Sequence, residues 1–184
     1  MAKVAVVFHS GYGHTLRMAQ AVAEGADAEL VPIDADGNLP DGGWDTLNDA
    51  DAIIFGSPTY MANVSWQFKK FADASSKQWF AQAWKDKLAG GFTNSAGLNG
   101  DKLATLNSLF ALSMQHSMIW VSQGLMPANT KGTTRRDVNN LVSYSGAMAQ
   151  SPSDGGADDM HSGDLETARL FGKRIADIAA RFRA

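Results

Sequence analysis

The sequence predicts an α/β fold: a doubly wound, five-stranded parallel sheet with helices on both faces. Three observations carry this. Strand-like apolar runs recur at residues 4–8, 28–33, 52–55, 88–93 and 118–121. They are continuous rather than alternating, as expected of strands buried on both faces. Between most of them stand stretches with apolar residues three and four apart, the period of an amphipathic helix. Strands that alternate with helices make right-handed crossovers, which keep the strands parallel and divide the helices between two faces.

The elements follow in order. Val4 to Phe8 ends at Ser10-Gly11 and His9 closes the strand. From Thr15, Leu16, Ala19, Val22, Ala23 and Ala26 form one helical face, with Arg17, Gln20 and Glu24 opposite. After the strand at 28–33, residues 34–44 carry Gly37, Pro40, Gly42 and Gly43 and read as turn-forming. The strand at 52–55 precedes a helix over 64–74, built on Val64, Phe68, Phe71 and Ala72. The strand at 88–93 precedes a helix over 101–115, and the strand at 118–121 precedes a long, weakly periodic loop at about 122–163. Leu165, Ala168, Phe171, Ile175, Ile178, Ala179 and Phe182 mark a terminal helix. Trp66, Trp84 and Trp120 are expected as packing residues.

Composition narrows the chemistry. The 184 residues, 45% hydrophobic and 19% charged, suit one domain spanning 1–184. Cysteine is absent, which excludes disulfides, thiolate metal sites and cysteine nucleophiles, so any redox chemistry must come from a cofactor. Sixteen basic against 19 acidic residues give a net charge of −3 without a basic run, so no nucleic acid is expected as partner. No stretch approaches the ~20 apolar residues of a membrane span, and residues 4–8 are shorter than a signal-peptide core. A soluble, cytoplasmic protein without a membrane partner is expected.

In such a sheet, ligands bind beyond the carboxyl ends of the strands. After the first strand comes Ser10-Gly11-Tyr12-Gly13-His14-Thr15, running into a helix. Free N–H groups, the helix dipole and the Ser10 and Thr15 hydroxyls there make a phosphate cradle. The same residues also serve a plain strand-to-helix turn with Thr15 as N-cap. A dinucleotide fingerprint fits Gly11, Gly13 and Asp34 but meets Leu16 where a third glycine belongs. After the third strand, Gly56-Ser57-Pro58-Thr59-Tyr60-Met61-Ala62-Asn63 offers hydroxyls beside an aromatic ring. After the fourth, Thr93-Asn94-Ser95-Ala96-Gly97-Leu98-Asn99-Gly100 offers hydroxyl and amide groups for a ring edge. Each alone also reads as a surface loop; three at successive strand ends point to a planar, phosphorylated ligand. Asp158, Asp159 and His161 are local and glycine-flanked, and no metal is expected there. Tyr144, in the long loop, is read as a surface residue or as one approaching the ligand's far edge.

With these loops in place, the chain resembles the flavodoxin-like superfamily and, within it, the WrbA-type NAD(P)H:quinone oxidoreductases and flavodoxin family proteins. The match runs from about Lys3 to Phe182, carried by Ser10-x-Tyr12-Gly13-His14, Gly56-Ser57-Pro58-Thr59 and His116. The resemblance implies a flavodoxin-like sheet in the order 2-1-3-4-5. It implies FMN with its phosphate in loop 10–15 and its isoalloxazine between loops 57–63 and 93–99. It implies hydride transfer from NAD(P)H to flavin N5 and two-electron reduction of a quinone-like acceptor. From spacing alone His116 reads equally as a cap of the preceding helix; by the resemblance it would face the flavin as the catalytic residue, and Trp79 would flank the flavin of a neighbouring subunit in a homodimer or homotetramer. The family often has Arg-Phe-Gly where this chain has Tyr60-Met61-Ala62. A one-electron carrier of flavodoxin type uses the same loops; it is expected to be far more acidic than −3.

Overall fold

The computed structural model describes residues 2–182. Strands β1 (Val4–His9), β2 (Glu29–Ile33), β3 (Ala52–Pro58), β4 (Leu88–Ser95) and β5 (Ile119–Trp120) lie in the order β2-β1-β3-β4-β5, with every pair parallel. This is the predicted doubly wound, flavodoxin-like order. Successive residues of β1 and β3 face opposite sides. Val4, Val6, Phe8 and Ile54 pack under α1 (His14–Ala26) and α6 (Ser162–Phe182). Ala5, Val7, Ile53 and Phe55 pack under α2 (Gly43–Asp49), α3 (Trp66–Ala74) and α5 (Lys102–Gln115). No helix among the described residues is long and apolar enough to cross a membrane.

The sheet departs from the five-stranded expectation at its edge. The expected strand 118–121 is only two residues, paired with Leu88 and Ala89 at the start of β4. A sixth strand, β6 (Ala147–Gln150), pairs with Phe92 to Ser95 at its end. One edge position is thus shared by two short strands, and residues 121–146 loop out between them. Asn139 organises that loop: its N–H donates to Thr167 Oγ1 at 2.7 Å, its Nδ2 to the Leu125 carbonyl at 3.0 Å, and its Oδ1 accepts the Ser143 N–H at 2.9 Å.

Two short helices also go beyond the sequence reading. The segment read as turn-forming runs on into α2, which starts after Gly42, at φ 76°. Asp34, the candidate ribose acid of the dinucleotide reading, accepts the N–H groups of Asp36 and Asn38, which fixes the preceding turn. A second short helix, α4 (Ser76–Phe80), follows α3. Trp84 is fully buried and donates to Asn48 Oδ1 at 3.0 Å, and Trp120 donates to the Ser145 carbonyl at 2.8 Å. Trp66 corrects the expectation of packing: it stands exposed at the first position of α3, where Phe68 and Phe71 take the inward face.

Candidate cofactor-binding cleft

The turn from β1 to α1 is built for close approach. A Cβ on Gly11 would lie 2.7 Å from the Tyr60 hydroxyl, and Gly13 takes the left-handed φ of 89° that lets α1 begin at His14. The Leu16 N–H reaches Ser10 Oγ at 3.0 Å and the Arg17 N–H reaches the Gly13 carbonyl at 2.9 Å. That leaves the N–H groups of His14 and Thr15 without an acceptor among the described residues, at the positive end of the helix dipole. Because Ser10 Oγ accepts from Leu16, its own proton remains free to donate. This donor set fits a phosphate.

The expected Thr15 hydroxyl donor is redirected. Thr15 is buried, and its Oγ1 donates to Asn94 Oδ1 at 2.7 Å, while Asn94 Nδ2 donates to Ser151 Oγ at 3.1 Å. Its hydroxyl therefore ties the turn after β1 to the ends of β4 and β6, and Gly13 rather than Thr15 occupies the N-cap position. Thr15 serves the cleft through its backbone N–H and by fixing the floor.

Pro58, Thr59 and Tyr60 form one wall, and the Tyr12 ring meets Tyr60 edge-on with centroids 6.4 Å apart. Burial, then the neighbouring Tyr12, holds the Tyr60 hydroxyl above its ordinary pKa, so it is a neutral donor at neutral pH. Met61 and Ala62 form the tip of this wall, both left-handed at φ 48° and 61°, between the paired backbones of Tyr60 and Asn63. Met61 stands almost wholly in solvent. Ser57 and Thr93 lie beneath the wall rather than in the cleft. Ser57 Oγ accepts the Ser65 N–H at 3.0 Å, and Thr93 Oγ1 bonds Thr59 Oγ1 at 2.8 Å. Asn63 Oδ1 accepts from the Val64 N–H and the Ser108 hydroxyl.

The opposite wall joins Asn94, Ser95 and Ala96 to Ser151, Pro152, Ser153, Gly155 and Gly156, and the cleft they close holds about 540 Å³. That is within the ~300–1,000 Å³ typical of cofactor sites. The 151–156 segment was not anticipated as a wall. Its signal was the run Ser151-Pro152-Ser153 followed by Gly155-Gly156, close to the Asp/Gly-rich part of the long loop. His14 ties it to α1 by a contact of 3.1 Å between Nε2 and the Gly155 carbonyl. Asp159 accepts the Gly156 N–H at 2.7 Å, holding the turn behind it.

Gly97 and Asn99 lie beyond the cleft; Asn99 lines a second groove with Tyr144, across the turn that follows β4. His116 corrects the expectation of a catalytic histidine. It closes α5 just before β5, whose partners Leu88 and Ala89 begin β4. It is therefore at the amino-terminal edge of the sheet, opposite the cleft. It is buried, bonded through Nε2 to Ser75 Oγ at 2.8 Å and packed on Trp84 at 4.3 Å, and burial lowers its pKa. Trp79, in α4, packs on Phe80 and does not line this chain's cleft.

Known proteins share the fold and much of the sequence. The family model for NADPH-dependent FMN reductases matches residues 9–132. Flavodoxin FldP of Pseudomonas aeruginosa strain UCBPP-PA14 is 56% identical over 184 residues, covering all of both chains. An NAD(P)H dehydrogenase (quinone) of Archaeoglobus fulgidus is 32% identical, over 98% of this chain and 99% of its own. Among solved structures, a flavodoxin, WrbA-like protein from Agrobacterium tumefaciens superposes with a TM-score of 0.83 at 55% identity, over 98% of this chain and 99% of that one.

Proposed function

Because the chain belongs to the NADPH-dependent FMN reductase family and has a flavodoxin-like fold, we propose that it is an FMN-dependent oxidoreductase taking electrons from NAD(P)H and passing two of them to a quinone-like acceptor. The supporting observation is the cleft itself: unpaired N–H groups of His14 and Thr15 at one end, small polar walls and an aromatic pair along its length, with the Ser10 hydroxyl in the adjoining turn. His14 and Thr15 N–H and Ser10 Oγ would hold the FMN phosphate. Pro58 to Tyr60 and Asn94 to Ala96 would hold the ring. When bound, FMN supplies the redox chemistry, since it accepts electrons in pairs and releases them again. This chain's residues bind, orient and shield it. With His116 at the far edge, no acid–base side chain is assigned a proton.

NADH and NADPH oxidation with benzoquinone tests the reading. Turnover with either nucleotide is expected; FMN-loaded protein reduced by neither would overturn it. That result would favour a second reading, a one-electron carrier, which rests on the full-length likeness to a protein named flavodoxin. The modest charge of −3 supports the enzyme. The proposal includes a cytoplasmic setting and self-association. The outward side of α5 exposes Leu103, Phe110 and Met114 and carries no charge, a surface suited to a second copy that sedimentation at micromolar concentration reads directly.

A further inference from the structure

Lys102 opens α5 and is fully buried, and no carboxylate among the described residues forms an ion pair with it. Its Nζ donates to Ser95 Oγ at 3.0 Å, to the Gly97 carbonyl at 2.6 Å and to the Leu98 carbonyl at 3.0 Å. Three acceptors match the three protons of an ammonium; a neutral amine has only two to give. The two preceding carbonyls are engaged as well, Ser95 by the Ser151 N–H at 2.9 Å and Ala96 by Gln150 Nε2 at 3.0 Å. Every carbonyl from Ser95 to Leu98 thus points at a donor in the protein. The N–H groups of Ala96, Gly97, Leu98 and Asn99 have no acceptor among the described residues.

We propose that Lys102 is the positioning residue for the cleft wall at Ser95 and Ala96, the residues of this turn that line the cleft: its ammonium holds Ser95 Oγ and anchors the turn that follows, leaves the Ala96 N–H free, and makes that wall favour the more negative, reduced state of a bound flavin. The inference rests on FMN occupying this cleft. Its physical basis is a fixed, buried positive charge directly behind Ser95 and Ala96, with little water to screen it.

The charge is held at a cost that pH exposes. Burial lowers the Lys102 pKa to about 8; Asp164, facing it from α6, opposes that shift, and Arg135, from the loop between β5 and β6, adds to it. Between about pH 8 and the ordinary lysine pKa of ~10.4 the unfolded chain binds more protons at this position than the folded one. This residue's contribution to the stability of the free protein therefore rises with pH across that window. Affinity for FMN has the opposite dependence, because binding uses the protonated wall.

The test compares wild type with Lys102→Met and Lys102→Arg, reading FMN affinity, the two-electron midpoint potential of bound FMN, and urea unfolding. Lys102→Met is expected to lose about tenfold more affinity for reduced than for oxidised FMN, lowering the potential by about 30 mV. Lys102→Arg should recover most of it. An unchanged potential in a Lys102→Met protein that binds FMN would overturn the role of Lys102 while leaving the FMN reading intact. No FMN uptake by wild type would overturn both. Should Lys102→Met not fold, the wild-type profile decides. FMN affinity falling above pH 8 while the urea midpoint does not fall supports the role, and flat affinity between pH 7 and 9 contradicts it.

Discussion

Gly172→Val is expected to abolish folding, or to cost at least ~3 kcal/mol in urea unfolding. A Cβ at Gly172 would stand 2.0 Å from the Val22 carbonyl oxygen, and one at Gly25 1.8 Å from that of Arg169. These are backbone atoms of α1 and α6 facing each other, so neither helix can yield by turning a side chain. The helices approach this closely because glycine and alanine dominate the contact, with Ala19, Ala23, Ala26, Ala168 and Ala179 around it. Separating them would also displace the N-terminus of α1, where His14 and Thr15 present their N–H groups. Any folded remainder should therefore bind FMN more weakly. Gly132→Val is the matched control: nothing lies within 4 Å of a Cβ there, and stability should be near wild type. Equal stability of the two variants would contradict the assigned packing.

Asp164→Ala is expected to cost about 3 kcal/mol, the lower end of the range for removing one partner of a buried ion pair, because Arg135 is 22% exposed. Asp164 is almost fully buried at the start of α6. It accepts from the Arg135 guanidinium and from the Gln150 N–H, the latter at 2.8 Å. One carboxylate thus joins the loop between β5 and β6, strand β6 and helix α6. Its loss leaves the part-buried Arg135 guanidinium with Asn140 Oδ1 alone, at 3.3 Å, and the Gln150 N–H without its acceptor, and loosens the strand that leads into Ser151. FMN affinity should fall with stability. Asp164→Asn keeps one acceptor and the side-chain shape, so the loss should be smaller. An alanine variant within ~1 kcal/mol of wild type would show that the pair does not organise this region.

The sequence made the sheet legible where burial is two-sided. β1 and β3 carry unbroken apolar runs, and their neighbours followed from helix–strand alternation. The edge was harder to read. Ala147-Met148-Ala149-Gln150 has small residues and no sustained period, and its strand character comes from pairing with β4. Helix α2 was hidden because Gly42 and Gly43, which read as a turn, instead start it. Thr59 and Asn94, which line the cleft, could be singled out because three polar, glycine-bearing loops at successive strand ends share few purely structural uses. What Thr15 and Ser57 hydroxyls bond to was not legible, since that depends on partners 79 and 8 residues away. His116 misled because a position just before β5 is at the sheet's amino-terminal edge, and only topology shows which edge faces the ligand.

A phosphate held at the start of α1 is what FMN binding requires of this chain, and comparing FMN with riboflavin by titration calorimetry tests it most directly. The two ligands share the ring and differ by the phosphate alone. Charge-assisted bonds from His14 N–H, Thr15 N–H and Ser10 Oγ, at ~1.5–3 kcal/mol each, predict at least about a hundredfold tighter binding of FMN. Ser10→Ala should narrow that gap and leave riboflavin unaffected. Equal affinity for the two ligands would contradict the account.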